Sequence, residues 1–586
     1  MKAPSRISAA LLSIILIVAT AVAAMPAHAK TQVSAKKWQA HYIFSHKDSG
    51  IEKELGRMTL EEKVGQMIIA QTESRFNSVG TSSHRQLQRL VSEGKVGGIM
   101  FMKGEAFSAA MMANGFQAIA PRPLLMSADM ERGLAMRLAG ATEFPPNMAL
   151  AATTDPQLAF SMAKAIASEA RSAGIHQSYS PNVDLNSNPA NPVINTRSFG
   201  DNVELAISMS NAMIEGLQKN GIVATAKHFP GHGNVTVDSH LALPVLGASR
   251  HRLFDYELKP FKAAIDHGII SIMTGHLAVP GLTGTMEPAS ISRAIVTGLL
   301  RNELGFKGLI ITDALNMKAL YNGSNVGDIS VKAVKAGNDL LLFSPDPEQT
   351  HSVIVDAVRK NDIPKEQIDA SVRRILLVKK WLDLKKNTLV DLNQIQHNIS
   401  PESHRNLAAE IASRSMTIVK EDPRHLPIRN NGNGGGLLNI ILQDKNNPET
   451  GRNYAERLSR AFPGTTMRIH PQTDANELAA TAAAAANADA TIISSYVQVF
   501  SGSGTLKLTD KQQRFIHTLS RSLPSEKPLI FISFGTPYLI GAFPYIRTAV
   551  CTYSSNIASE DAVLLLLNGK LRAGGKLPVS LYGTTQ

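Results

Sequence analysis

The stretch VELAISMSNAMIEGLQKNGIVATAKHFPGHGNVTVDSH, residues 203–240, holds one full structural period of the chain. Residues 203–220 carry the apolar spacing of an amphipathic helix, and residues 222–226 form a short apolar run of strand length. Lys227 and His228 then leave the strand end. Pro230, Gly231 and Gly233 forbid a regular helix, so the polar residues that follow ride on a loop. Helix, strand and polar loop in that order predict an α/β layout with ligand groups at the C-terminal ends of parallel strands.

The same pattern extends outward in both directions. Apolar runs near 66–70, 98–102, 124–127, 176–183, 222–226, 270–274, 309–312 and 339–343 alternate with helical stretches such as 156–173. Eight such units predict an N-terminal (β/α)8 TIM-type barrel; the alternative is an open doubly wound sheet. Polar residues stand where the runs end: Asp129, Asp184, Lys227, His228, His276 and Asp313. Thr59 and Glu62 form a capping box at the barrel's first helix. A second strand–helix series has strands near 416–419, 438–442, 467–470, 490–494, 529–533 and 549–553, which predicts a smaller C-terminal α/β sandwich domain. The Gly- and Asn-rich stretch 430–436 reads as a loop and not a phosphate loop, because no G-K-[ST] follows it. The expected organisation is a signal peptide at 1–29, a leader at 30–58, the barrel at 59–390, a connecting helix at 391–415 and the sandwich at 416–586.

The signal peptide rests on Lys2 and Arg6, an apolar run over 7–24, and an A-x-A ending at Ala27-His28-Ala29. The alternative for this segment is a membrane anchor. Cleavage predicts an exported protein, periplasmic or secreted, with no stable membrane anchor. The 586 residues carry a formal charge of +12, with 44% hydrophobic and 18% charged residues, so a large core is available. Export argues against nucleic acid as the partner of that charge and favours an anionic polymer or surface. The single cysteine, Cys551, excludes an intramolecular disulfide framework and any Cys-based zinc or iron–sulfur site.

The loop over 227–240 admits three readings. His228, His232, Asp238 and His240 are of the types that bind zinc. The loop could equally be a polar surface with satisfied histidines. In the third reading Asp238 and His240, two apart, form a carboxylate–imidazole pair that moves a proton during hydrolysis.

Lys227–Gly233 followed by Asp238-Ser239-His240 resembles the β-N-acetylglucosaminidase branch of glycoside hydrolase family 3. So do MTLEEKVGQM at 58–67, SPNVDLN at 180–186, NTRSFG at 195–200, MTGH at 273–276, GFKGLIITDALNM at 305–317 and GKLRAGGKLPVSL at 569–581. The resemblance implies a two-domain retaining exo-glycosidase with no metal and no cofactor. It assigns Asp313 as the nucleophile and His240 as acid/base, with Asp238 orienting it. It assigns Asp129, Arg137, Arg197, Lys227 and His228 to gripping the sugar. One-domain bacterial members often read Glu-Gly-Gly-Arg after the first sugar-binding aspartate. Here Asp129 is followed by MERGLAMR, so Arg137 becomes the pocket arginine. The implied substrate is a GlcNAc-containing glycan cut at its non-reducing end, with peptidoglycan fragments as a source. The alternatives are a family 3 β-glucosidase, whose acid/base glutamate comes from the second domain, and a non-catalytic wall-binding protein. No Asp or Glu of 416–586 is expected to act in catalysis, and the second domain is expected to serve stability.

Overall fold

The computed structural model describes residues 37–45, 47–75, 80–321, 323–429, 435–443, 449–498 and 508–582. The signal segment and residues 430–434 of the Gly/Asn loop lie outside the described residues. Among the described residues no helix is long and apolar enough to cross a membrane.

The barrel strands are β1 (Ile68–Ser74), β2 (Gly98–Glu105), β3 (Leu125–Ala128), β4 (Gln177–Ser178), β5 (Val223–Phe229), β6 (Ser271–Thr274), β7 (Leu309–Thr312) and β8 (Leu341–Leu342). They pair in parallel in the order β7-β6-β5-β4-β3-β2-β1-β8, and a bridge between Ile311 and Leu340 closes the ring. This is the expected (β/α)8 barrel. Every residue of β5 is buried, as in a sheet covered on both faces.

Two features differ from the sequence reading, each for a local reason. The run at 176–183 yields only a two-residue strand, since Pro181 has no N–H to give to a ladder. The chain still follows its neighbours through Tyr179 N donating to Ala128 O at 3.1 Å and a bridge from Asn182 to Lys227. Lys227 and His228 do not leave the strand end; they lie inside β5, which continues to Phe229. The β5–β6 register shifts between Ala226 and Phe229, and such an irregularity re-aims the side chains it contains.

The helix before β5, Val203–Lys219, is capped by Asn202, whose side chain accepts from Leu205 N. Its Ala206, Met209, Met213, Ile214 and Leu217 join the barrel core. It crosses helix Pro156–Ser172 closely at Gly216, where a Cβ would stand 2.6 Å from Phe160 O. Part of the leader also folds onto the barrel: helices Ala40–Phe44 and Ser49–Arg57 place Ile43, Ile51 and Leu55 in the same core.

The second sheet comprises β9 (Thr417–Lys420), β10 (Leu437–Leu442), β11 (Gly464–Ile469), β12 (Ala490–Ser495), β13 (Leu529–Ser533) and β14 (Thr548–Cys551). Its order is β9-β14-β13-β12-β10-β11, parallel throughout except for β9. A hydrophobic cluster lies on each face, as expected for a layered α/β domain. One of these cores is shared with the barrel. Met148, Ala149 and Ala152, from the barrel's helix Asn147–Ala152, pack with Leu438, Ile493 and Phe531. Main-chain bonds join the same regions: Lys576 N donates to Ala152 O at 2.8 Å and Asp201 N to Pro578 O at 3.2 Å. Gly200, at φ +121°, lets Pro578 O come so close that a Cβ would sit 2.2 Å from it.

Candidate active site

The strand ends converge on one cavity of about 370 Å³. Asp129 follows β3, Lys227 and His228 ride on the bulged end of β5, and Asp313 follows β7. Arg137 and His240 arrive on loops, and Arg197 on the short 3-10 turn Asn195–Arg197. All seven of these side chains line the cavity. Asp238, the remaining expected residue, is buried behind His240.

The floor is a network of alternating charge. Lys227 Nζ donates to Asp129 Oδ1 at 2.8 Å and lies 2.8 Å from Glu131 Oε1. Arg137 holds the other oxygen of Asp129. Arg197 grips Glu131 in two-pronged fashion, Nη2 to Oε1 at 2.7 Å and Nε to Oε2 at 3.0 Å. Burial would raise both carboxyl pKa values, but Lys227 with Arg137 at Asp129, and Arg197 with Lys227 at Glu131, hold both well below the usual carboxylate range. Burial lowers the Lys227 pKa, yet the two carboxylates outweigh it and hold the ammonium charged.

Asp184 organises the next layer. Its carboxylate accepts from His232 N at 2.7 Å and His228 N at 3.1 Å, and lies 2.7 Å from His228 Nδ1. That turns His228 Nε2 toward Arg197, 3.5 Å away. His232 meets Ser239 Oγ through Nε2 at 3.3 Å, while its buried Nδ1 has no hydrogen-bond partner among the described residues. Burial, then the neighbouring His228, pushes His232 down to about 4, so its ring is neutral at pH 7.

The histidine loop places a buried carboxylate under a partly exposed imidazole. Asp238 Oδ1 accepts from His240 N at 2.9 Å and lies 2.7 Å from His240 Nδ1. The His240 side chain is 35% exposed and that of Asp238 is fully covered, so Nε2 is the ring nitrogen left for a ligand. Across the cavity Asp313 is half-buried, and its Oδ1 accepts from Ala314 N at 2.8 Å. Burial raises its pKa, but His228, His276, the Ala314 N–H and Lys227 prevail and bring it below the ordinary value. His276 is fixed behind it by Ser290 Oγ at 2.7 Å and Ala314 O at 3.0 Å. Among the described residues no group of three or more His, Cys, Asp or Glu is arranged to hold a metal ion. His228 and His232 are engaged with Asp184 and Ser239 instead.

The sequence reading missed Glu131 as a site residue and left Asp184 and His276 as polar strand ends without a role. Glu131 stands two residues from Asp129, so the same strand end that delivers one carboxylate delivers both. The second domain also reaches the cavity, through Gln498, Tyr553 and Ser554. None of its lining residues is Asp or Glu.

Residues 59–378 match the family described as the glycosyl hydrolase family 3 N-terminal domain. The chain is 29% identical over 562 residues to a beta-N-acetylglucosaminidase/beta-glucosidase of Cellulomonas fimi, covering 92% of this chain and 97% of that one. It is 29% identical over 557 residues to beta-hexosaminidase A of Pseudoalteromonas piscicida, covering 85% and 91%. Among solved structures it is similar to a family 3 beta-N-acetylglucosaminidase from a Paenibacillus species, with 30% identity and a TM-score of 0.78 over 90% of this chain and 100% of that one. A beta-glucoside phosphorylase, 24% identical with a TM-score of 0.80, shares the fold.

Proposed function

Because the chain belongs to glycoside hydrolase family 3, and so is a glycosidase of carbohydrate substrates, we propose that it is a retaining exo-β-N-acetylglucosaminidase. The observation that carries this reading is the Asp238–His240 pair on the rim of the cavity that contains Asp313. A glucosidase that draws its acid from the second domain needs a carboxylate there, and among the described residues none from that domain lines this cavity. The names of the relatives favour a 2-acetamido sugar. The dual name of the Cellulomonas fimi protein favours a second reading, in which aryl glucosides are also cleaved.

In the first step the Asp313 carboxylate attacks the anomeric carbon and His240 Nε2 gives its proton to the departing oxygen. The lowered pKa of Asp313 keeps the nucleophile ionised at neutral pH. Water then attacks the glycosyl ester, His240 takes the proton, and Asp313 leaves. Asp238 fixes which imidazole nitrogen faces the substrate. Asp129, Lys227, Arg137, Arg197 and His228 hold the sugar hydroxyls. The signal-like N-terminus supports export to the periplasm or beyond. Peptidoglycan fragments are a source of such glycans there, and their anionic groups suit the charge of +12.

Hydrolysis of aryl glycosides and of a GlcNAc disaccharide by two variants tests the assignment. Asp313→Asn is expected to abolish turnover with the fold intact; activity within about tenfold of wild type would mean another nucleophile. His240→Ala is expected to lose about 10²–10⁴-fold on the disaccharide and much less on glycosylation by a dinitrophenyl glycoside, which needs little acid. With the deglycosylation base gone, a burst of phenolate should appear. Equal losses on both substrates without a burst would remove His240 from proton transfer.

A further inference from the structure

The opposite end of the barrel holds a second cavity, of about 320 Å³, beside helix Ser49–Arg57 and the last barrel helix, Lys365–Trp381. It lies at the N-terminal ends of the strands: Gln66 comes just before β1 and Pro123 just before β3. Ile51, Leu376 and Leu384 give it apolar walls. Into it faces Lys379, only 6% exposed.

Two acceptors meet the Lys379 amine: Gln66 Oε1 at 2.7 Å and Gly97 O at 2.9 Å. Among the described residues it has no ion pair with a carboxylate. An ammonium carries three N–H donors, and a third would be buried here without a partner; a neutral amine has two, with a lone pair left over. Burial, then the charge of Arg122, pulls the Lys379 pKa down to about 7 against the opposing pull of Glu54. Arg122 spans Glu54 and Glu62, at 3.4 and 3.2 Å, through its two terminal nitrogens. Its Nε is buried and has no partner among the described residues. The rim charges are already matched: Lys380 with Asp48, Lys385 with Glu54 and Lys386 with Asp383.

The cavity thus places an amine with only two acceptors for its N–H donors beside Arg122, whose buried Nε has no partner among the described residues, in a partly apolar space. We propose that it is a modification site in which Lys379 takes up carbon dioxide as a carbamate. The Nζ lone pair forms the new N–C bond, and one C=O pair of carbon dioxide becomes the charge on a carbamate oxygen. One N–H proton passes to solvent, giving R–NH–COO⁻ and H⁺. The remaining N–H keeps a single acceptor, and the freed Gln66 amide can turn its NH₂ toward the new carboxylate. Arg122 Nε supplies the charge-assisted bond. Carbon dioxide fits because it enters uncharged and becomes an anion only beside Arg122. A preformed anion would instead hold Lys379 as an ammonium.

The test is mass-spectrometric mapping of the full chain equilibrated with ¹³C-bicarbonate near pH 8 and trapped with a trialkyloxonium salt. The labelled alkyl carbamate is expected on Lys379, at an occupancy at least about tenfold above any surface lysine, since those stay mostly protonated. Arg122→Gln should cut that occupancy by about tenfold through loss of one charge-assisted bond. Lys379→Arg should abolish the labelled peptide, and if that variant does not fold, the wild-type map and Arg122→Gln decide. No adduct on Lys379 in folded wild type, label spread evenly over surface lysines, or binding of inorganic phosphate in the cavity without an adduct would each overturn the proposal. The readout is a mass, so it stands apart from whether the glycosidase reading holds.

Discussion

His232 faces Asp184 through its backbone and Ser239 through Nε2, and among the described residues its Nδ1 has no hydrogen-bond partner. A protonated ring would bury a positive charge whose Nδ1–H has no acceptor among the described residues. The folded protein keeps His232 neutral down to about pH 4, whereas an unfolded histidine titrates near 6.5. The unfolded state therefore binds more protons between those values, and stability that is full above about pH 6.5 is lost as pH falls toward 4. The loss reaches about 1.4 kcal/mol per pH unit for each such group. His176, half-buried and pushed down to about 3 by desolvation, acts with the same sign. Urea unfolding at pH 7 and pH 5 should show a smaller acid loss in His232→Asn than in wild type. An unchanged difference would mean that the ring is protonated in the folded state.

Among the elements, the strand ends and caps were the legible part. The expected strands 309–312 and 529–533 match β7 and β13 to the residue, and the Thr59–Glu62 capping box is formed. Each depends on neighbours within a few positions. Asp129, Lys227, His228 and Asp313 were visible as polar residues at such ends, His240 as part of the loop that follows β5, and the cavity gathers them. What sequence could not supply was non-local. The bulge that keeps Lys227 and His228 inside β5 is set by pairing with β6. The part played by Glu131 depends on Arg197, 66 residues away. A further contact of this kind is Glu169, on helix Pro156–Ser172. It accepts from Thr142 N at 2.9 Å, Thr142 Oγ1 at 2.6 Å and Ser400 N at 3.2 Å, and lies 2.8 Å from His404 Nδ1. One carboxyl group thus ties a barrel loop to the start of the connecting helix, Glu402–Ser415. Glu169→Ala leaves several buried donors unmet and should cost about 3 kcal/mol in denaturant unfolding. A cost below about 1 kcal/mol would show that water takes over those bonds.

At the scale of the molecule, two α/β layers turn strand ends toward one cavity. The barrel brings the charged floor, and the second sheet brings Gln498 after β12 and Tyr553 and Ser554 after β14. Gln498 is held by Phe534 O at 3.2 Å and by Ser555. Gln498→Ala should raise KM for a GlcNAc disaccharide by about three- to tenfold while leaving kcat on an aryl glycoside unchanged, the signature of lost uniform binding. Equal effects on both substrates would place Gln498 at the reacting sugar. The shared core makes the domains mutually dependent. Met148 is fully buried against the second sheet's cluster, so Met148→Ala should cost about 2–5 kcal/mol. If residues 416–586 alone gave a cooperative melt matching that of the whole chain, the shared core would not be essential.

The helix that carries Met148 begins at Asn147, which lines the cavity and whose Nδ2 donates to Arg197 O at 2.8 Å. Six residues therefore have one end in the sugar pocket and the other in the partner layer's core. The working lifetime of the enzyme is then a property of the second sheet. Whenever that layer opens, the helix loses its seat and the Arg197 carbonyl its bond from Asn147, so activity is expected to lapse before the barrel itself unravels. Proteases meeting the protein would inactivate it at the frequency of that opening, and a variant that slows the opening would last longer without turning over any faster.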